Sequence, residues 1–294
     1  MGKALREWKN VSKLHGCDLH SYHAGRFIFD ECHIVERASS QHYFERLDEL
    51  LTTLKIDVLI PATEAELEVF LRHKPTFDCL VIKANDLSIE TGLDKLRTAQ
   101  FLQHNGIPCP VTHDVTEMFT PAFPCILKKR TGSGSKAVHI VRESRDFDLV
   151  VKLYADLIYQ EYLKDGDEEY TCGLFRSKTG QVRTIVFKRR LTGGYSGYGE
   201  VVVHPAIEKV LRDVAESLSL EGSINVQLRL DKGVPKIFEI NPRFSSTVLF
   251  RHLLGFTDLI WAINDAAGQE IGAYNPPKAG AKFYKGFQEY ITLQ

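Results

Sequence analysis

The segment from Gly222 to Arg243, GSINVQLRLDKGVPKIFEINPR, restricts the fold of this chain more than any other stretch. Two runs of alternating apolar and polar residues flank Asp231-Lys232-Gly233, which predicts an antiparallel β-hairpin. Because successive strand side chains point to opposite faces, Gln227 and Glu239 are predicted to lie close together across the hairpin. One face therefore needs a core to pack against. The other face is either a ligand site or an exposed polar surface.

The second strand of this hairpin ends with three functional groups in alternation. Glu239, Asn241 and Arg243 fall on one face, while Phe238 and Ile240 are predicted to face the core. Carboxylate and amide oxygens suit a hard cation such as Mg²⁺, and a guanidinium suits a phosphate. The strand end is thus predicted to bind a metal ion together with a phosphate.

Composition narrows the class of protein. At 294 residues the chain is long enough for two or three packed units. Its 37 Lys and Arg residues nearly balance its 38 Asp and Glu residues, which argues against nucleic acid or a membrane surface as a partner. The six cysteines are scattered without a CxxC pair, which predicts reduced thiols and a cytoplasmic protein.

The pattern of the sequence changes near residue 92, which predicts a boundary between residues 1–92 and the rest of the chain. Helical and strand patterns alternate in the first segment, which predicts a parallel Rossmann-like lobe. No strand and glycine-rich turn precede the helical pattern GKALREW, so we expect the first strand of this lobe to be missing and the natural start to lie upstream. Such a lobe is expected to be more sensitive to protease than the remainder. A new helix is predicted from Gly92, followed by antiparallel strands.

A strand and a small-residue loop occur in LKKRTGSGSKAV, residues 127–138. Ser133 and Gly134 lie in this loop, where small side chains let backbone N–H groups approach phosphate oxygens, and Lys128 adds a positive charge. A flexible hairpin tip is an equally good interpretation of the segment by itself. If the loop is a lid, hydrogen exchange over residues 130–137 should slow when the phosphate-bearing ligand and Mg²⁺ are added.

The segment IYQEYLKDGDEEY, residues 158–170, is the second candidate for nucleotide contact. An extended backbone from Glu161 to Leu163 can hydrogen-bond the edge of an adenine, and Glu169 can accept ribose hydroxyls. The alternative is a solvated acidic turn. Separately, Thr63 and Glu64 follow the strand pattern IDVLIP at the carboxyl end of the predicted parallel sheet, where α/β proteins bind ligands.

Six motifs in this order resemble the ATP-grasp superfamily: DK at 94–95, FPCILKK, QEYL, EEY, NVQ and EINPR. The resemblance is greatest to the large subunit of carbamoyl-phosphate synthase and to related carboxylate–amine ligases. It covers nearly the whole chain and is most specific over residues 93–255. It implies an α/β protein with an α+β body, in which residues 93–160 form a small lid subdomain and residues 161–294 a C-terminal catalytic subdomain and tail. Residues 1–92 would be the truncated Rossmann-like lobe.

The resemblance also assigns roles to the residues that match its motifs. ATP would be bound by Lys95, Lys128, Ser133, Gly134, Glu161, Leu163 and Glu169. Mg²⁺, with Mn²⁺ as an alternative ion, would be held by Gln227, Glu239 and Asn241. The catalytic residues would be Arg243, Lys188 and Arg189. The last two precede the glycines of FKRRLTGGYSGYGEVV, predicted as a flexible loop facing the acyl substrate.

The activity implied is ATP-dependent ligation of a small-molecule carboxylate to an amine through an acyl phosphate. Phosphorylation of bicarbonate or carbamate is an alternative in the same class, and a non-catalytic ATP-binding sensor is one in a different class. A dinucleotide-dependent oxidoreductase is disfavoured because no GxGxxG follows a strand. The sequence does not identify the acid or the amine, and it is compatible with a homodimer.

Overall fold

A computed structural model describes residues 1–132, 138–164 and 169–291. Ser133 and Gly134 lie outside these described residues. The helices are α1 (Gly2–Arg6), α2 (Tyr43–Thr53), α3 (Glu64–His73), α4 (Asp86–Leu93), α5 (Lys95–His104), α6 (Ser144–Leu153), α7 (Pro205–Ser217), α8 (Val248–Leu253) and α9 (Asp258–Ala266), with a 3₁₀ turn at Ala24–Phe27. The strands are β1 (His15–Asp18), β2 (Glu31–Ile34), β3 (Val58–Leu59), β4 (Leu80–Val81), β5 (Thr112–Asp114), β6 (Cys125–Lys129), β7 (Val138–Val141), β8 (Leu157–Glu161), β9 (Glu169–Arg176), β10 (Val182–Thr192), β11 (Tyr195–Val201), β12 (Gly222–Asp231), β13 (Val234–Asn241) and β14 (Lys282–Tyr284).

An antiparallel sheet forms the body of the protein. Its described strands follow the order β13-β12-β9-β10-β11-β14, with α7 on one face and α9 on the other. Helix α7 begins at Pro205, and its cap is closed by His204 Nδ1, which accepts from the Ile207 N–H. Its apolar residues recur at helical spacing, and Ile207, Val210, Leu211 and Val214 are buried against the sheet.

The predicted hairpin is confirmed as β12–β13. Strand β12 ends at Asp231 and β13 begins at Val234, with the two turn residues Lys232 and Gly233 at φ of 51° and 84°. Positive φ at both turn positions matches the right-handed twist of the flanking strands. The predicted pairing is also present, because Gln227 lies opposite Glu239.

A smaller antiparallel sheet has the strand order β5-β8-β6-β7. Its core contains the buried side chains of Cys125, Leu127, Val141, Leu157 and Tyr159. This core is distinct from the two clusters that cover the faces of the large sheet. The antiparallel arrangement predicted for the second half of the chain is therefore confirmed. The domain boundaries at 92/93 and 160/161 stay a prediction.

The N-terminal segment has the predicted parallel pairing. Strand β1 pairs with β2 and β3 pairs with β4, both in parallel, and no ladder joins β1 to β3 in the part of the chain that the structure describes. The packing of this segment is continuous with the body, since Leu5 and Leu14 belong to the same buried cluster as Phe187.

Two local predictions were wrong. Gly92 does not begin a helix: it lies inside α4, and the break comes at Asp94, whose carboxylate caps α5 by accepting from the N–H groups of Leu96 and Arg97. The region 193–199 is not a flexible loop, because Tyr195–Val201 is strand β11 paired with β10 and only Gly193 and Gly194 form the turn.

Phe238 does not face the core as predicted. The β12–β13 ladder shifts register between Gln227 and Leu228, so Leu228 pairs with Ile237 and Phe238 is the extra, bulged residue. Ile237 and Ile240 both enter the core, and Phe238 is displaced from it.

The described helices include none with the length and apolar character that crossing a membrane requires.

Candidate active site

The polar face of the β12–β13 hairpin forms the floor of the site. Asn225 lies opposite Asn241 and Gln227 lies opposite Glu239, so four oxygen-bearing side chains occupy one face of two strands. The Thr171 hydroxyl donates to Asn225 Oδ1 over 3.1 Å, which fixes that amide. Glu239 makes no hydrogen bond or ion pair with any of the described residues. A partly buried carboxylate without a partner is available for a cation.

Lys128 approaches this floor from the small sheet. It is carried by β6, its side chain is buried, and its Nζ donates to the Phe238 carbonyl over 3.3 Å. The same Nζ lies 5.6 Å from the centroid of the Phe238 ring. Burial lowers the pKa of Lys128 to about 8, and the nearby charge of Glu239 partly offsets that effect. The bulge at Phe238 thus supplies both a carbonyl and a ring to the ammonium group.

Arg189 joins two of the predicted ligand residues. Its Nη2 lies 2.6 Å from Glu169 Oε1 and donates to Gln227 Oε1 over 2.7 Å. The other oxygen of Glu169 accepts from Arg229 over 2.6 Å. A guanidinium on Gln227 Oε1 repels a cation, so Arg189 has to withdraw before that oxygen binds one. Glu169 retains lone pairs for ribose hydroxyls, since each carboxylate oxygen accepts more than one hydrogen bond.

Replacement of Arg189 by Met is expected to lower the free energy of unfolding by about 1–3 kcal/mol, because the hydrogen bonds of a charged and largely buried group are lost. Only 8% of the Arg189 side chain and 14% of the Glu169 side chain are exposed, so solvent screens this contact little. Urea unfolding should show a lower midpoint with an unchanged slope. The exposed Arg212→Met change on α7 is the matched control. Equal midpoints for both variants would show that the Arg189 contacts do not contribute to stability.

Arg243 lies where the hairpin meets the N-terminal segment. Its Nη2 is 3.4 Å from Glu64 Oε1, and Glu64 is the first residue of α3. The predicted ligand position at Thr63 and Glu64 therefore does meet the hairpin end. Gly92 packs closely against Pro242, the residue before Arg243, because a Cβ at position 92 would lie 2.7 Å from Pro242 Cδ.

The predicted adenine segment is linked to the same hairpin. Glu161 Oε1 lies 2.8 Å from Lys236 Nζ on β13, and Glu161 Oε2 accepts from the Val111 N–H over 3.1 Å. Leu163 is buried. Lys95, at the first turn of α5, donates to the Gly132 carbonyl over 2.6 Å, which places it at the start of the predicted phosphate loop. The roles of these residues in ATP binding stay predictions.

One predicted catalytic residue lies on the opposite face. Lys188 and Arg189 are adjacent in β10, so they point to opposite sides of the sheet. Lys188 pairs with Tyr170, which packs in the core on the α7 side. The structure therefore does not bring Lys188 together with Gln227 and Glu239.

Three residues in the site were missed in the sequence: Phe238, Arg229 and Lys236. Arg229 follows Gln227 by two residues, so continuing the alternation would have found it. Lys236 lies opposite Arg229 only because the bulge at Phe238 shifts the register by one residue, so alternation from Glu239 would not have found it. No sequence signal marks the bulge that brings Phe238 to Lys128.

Comparison with known proteins supports the fold. Residues 154–285 match the family model for ATP-grasp in the biosynthetic pathway with Ter operon. The chain is 26% identical over 286 residues to the carbamoyl phosphate synthase large chain of Thermoplasma acidophilum, covering 85% of this chain and 27% of that protein. It is 27% identical over 186 residues to the corresponding chain of Thermomicrobium roseum, covering 55% and 17%. The chain thus spans about a quarter or less of these relatives.

Solved structures resemble this one over most of its length. N5-carboxyaminoimidazole synthetase from Staphylococcus aureus complexed with ADP has a TM-score of 0.75 at 15% identity, covering 95% of this chain and 75% of that one. L-amino acid ligase from Bacillus licheniformis has a TM-score of 0.65 at 16% identity, covering 84% and 66%. The chain therefore has the ATP-grasp fold, and its residues 154–285 are similar to an ATP-grasp family.

Proposed function

We propose that this protein uses ATP to activate a small-molecule carboxylate as an acyl phosphate and then joins it to an amine. The observation that carries the proposal is the hairpin floor, where Glu239 lies opposite Gln227 and Asn241 opposite Asn225, with the ammonium group of Lys128 beside them. The ATP-grasp fold and the likeness to an L-amino acid ligase support it further.

The chemistry explains why a carboxylate, an amine and ATP belong together. A carboxylate oxygen attacks the γ-phosphorus of ATP, the bond from that phosphorus to the bridging oxygen breaks, and ADP leaves. The amine nitrogen then attacks the acyl carbon, phosphate leaves with the carboxylate oxygen, and the nitrogen loses a proton. Both steps depend mainly on positioning and on the neutralisation of negative charge.

The residues present fit a magnesium ion. Glu239 offers a carboxylate without a partner among the described residues, and Asn241 and Gln227 offer amide oxygens, a hard donor set without nitrogen or sulfur. When bound, Mg²⁺ would neutralise phosphate charge. Arg189 restricts this fit at Gln227 alone, because its guanidinium already occupies that oxygen.

The side chains of the protein have separable tasks in this scheme. Lys128 binds a phosphate oxygen from the small sheet, as does Lys95 beside Gly132. Arg243, held near Glu64, orients the transferred phosphoryl group or the carboxylate of the substrate. Arg189 leaves Gln227 as the nucleotide complex forms.

Trapping with hydroxylamine tests the proposal directly. The protein is incubated with ATP, Mg²⁺ and a panel of carboxylates, and ADP and hydroxamate are measured. We expect one carboxylate class to give ADP and hydroxamate in equal amounts, because hydroxylamine replaces the amine. ATP binding without carboxylate-dependent ADP release across the panel would contradict the ligase and indicate a sensor.

Adding bicarbonate to the same assay tests the second candidate function, the phosphorylation of bicarbonate or carbamate. The sequence relatives are named as carbamoyl phosphate synthase large chains, which favours inclusion of bicarbonate with ammonia. ADP release that needs bicarbonate and no organic acid, with carbamoyl phosphate formed when ammonia is also present, would replace the carboxylate–amine proposal. An amide or peptide product formed from an organic acid would exclude it.

A further inference from the structure

We propose that His15, Glu31 and His33 form a binding site for a transition-metal dication of the Zn²⁺ class in the N-terminal segment. The three ligand atoms lie within 4.8 Å of one another. The site is separate from the hairpin floor and does not depend on the proposed ligase activity.

The spacing of the ligand atoms fits a zinc ion. His15 Nδ1 lies 3.0 Å from His33 Nε2, and Glu31 Oε2 lies 3.8 Å from each of these nitrogens. A point equidistant from the three atoms is about 2.1 Å from each, and Zn–N and Zn–O bonds in proteins are about 2.0–2.2 Å. A metal ion therefore fits between them without movement of the backbone.

The parallel pairing of β1 and β2 creates this arrangement. His15 lies opposite Glu31 and Cys17 lies opposite His33, so His15, Glu31 and His33 point to the same face of the two strands. The histidine side chains are only 8% and 18% exposed, and their rings stack with centroids 5.2 Å apart. Neighbouring strands thus hold two nitrogen ligands in fixed positions.

The donor set favours zinc over magnesium. Two imidazoles and one carboxylate are nitrogen-rich, which suits Zn²⁺, whereas Mg²⁺ takes oxygen ligands. Zn²⁺ would replace the proton in the hydrogen bond between the two rings, since metal-bound imidazole is neutral. Lys13 Nζ lies 2.6 Å from Glu31 Oε1 and so leaves Oε2 for the ion.

Two of the three proposed ligands line a cleft. A cleft of about 320 Å³ is lined by Glu31 and His33, together with His20, His23 and Arg26. Three protein ligands beside such a cleft leave a fourth tetrahedral position for water or a small anionic ligand, the arrangement of zinc sites that bind exchangeable groups.

Calorimetric titration of the tag-free, chelator-treated protein with ZnCl₂ tests the site. We expect one Zn²⁺ per chain, a rise in the thermal unfolding midpoint on Zn²⁺ addition, and visible absorption typical of tetrahedral coordination with Co²⁺. His33→Gln and Glu31→Gln should each abolish all three effects. Their metal-free urea unfolding, compared with that of the wild type, shows whether they fold.

Three control variants define the ligand set. Cys17→Ser, on the same strand face, and His23→Gln, in the cleft, should bind Zn²⁺ as the wild type does. Glu239→Gln should also bind it normally, which separates this site from the hairpin floor. Stoichiometric binding that survives in folded His33→Gln and Glu31→Gln, or no stoichiometric binding in the wild type, would overturn the proposal.

Discussion

Glu239→Gln is expected to lower the rate of ADP formation by roughly 10²–10³ while the protein stays folded, as is typical when one well-placed electrostatic group is lost. The substitution keeps the shape of the side chain and removes its negative charge. Since Glu239 has no hydrogen bond or ion pair with a described residue, its neutralisation leaves no partner unsatisfied. Because Glu239 also raises the pKa of Lys128, the rate is compared well below pH 8, where Lys128 keeps its proton and the loss should reflect the proposed metal site.

Steady-state ADP release and urea unfolding measured on the same preparation check this result. Glu221→Gln is the matched control, because Glu221 is exposed and precedes β12 outside the hairpin floor. The control should match the wild type in both assays. Near-normal ADP release by Glu239→Gln would show that Glu239 does not hold the catalytic metal.

The hairpin could be predicted because its information is local. Alternating residues on both strands and the Asp-Lys-Gly turn together predict a hairpin, and the hairpin is present. Counting from the turn would pair Gln227 with Phe238, and Gln227 lies opposite Glu239 because the bulge shifts the register by one residue. The same local logic failed at Phe238, because a bulge adds one residue to a strand without a compositional mark. It failed again at 195–201, where glycines suggested a loop although the backbone pairs with β10.

The contacts of Arg189 could not be predicted for a different reason. They join β10 to Glu169 on β9 and to Gln227 on β12, so they depend on how three strands are ordered in the sheet. Strand order is set by long-range packing, which the alternation within each strand does not specify. Likewise, neither the pattern at IDVLIP nor the motif EINPR alone indicates that Glu64 meets Arg243.

Lys128→Met is expected to reduce kcat/KM for ATP by about 10²–10³, since it removes a charge that meets phosphate in both the ground and transition states. It should also raise the stability of the fold. Burial lowers the pKa of Lys128 to about 8, below its usual value of 10.5, so the folded protein holds this proton less tightly than the unfolded chain. The free energy of unfolding of the wild type therefore decreases as the pH falls from 10.5 towards 8. Methionine, an apolar side chain of similar length, removes this loss because it carries no proton.

The same pKa fixes the direction of the pH dependence. Only the protonated amine attracts phosphate, so kcat/KM for ATP in the wild type should fall as the pH rises through about 8. Lys128→Arg keeps its charge throughout this range and should show a flatter profile, even at a lower absolute rate. The negative charge of Glu239 raises the pKa of Lys128, so in Glu239→Gln the fall in kcat/KM for ATP should begin at lower pH. If Lys128→Met were less stable than the wild type with unchanged KM for ATP, Lys128 would be a structural residue instead of a phosphate ligand.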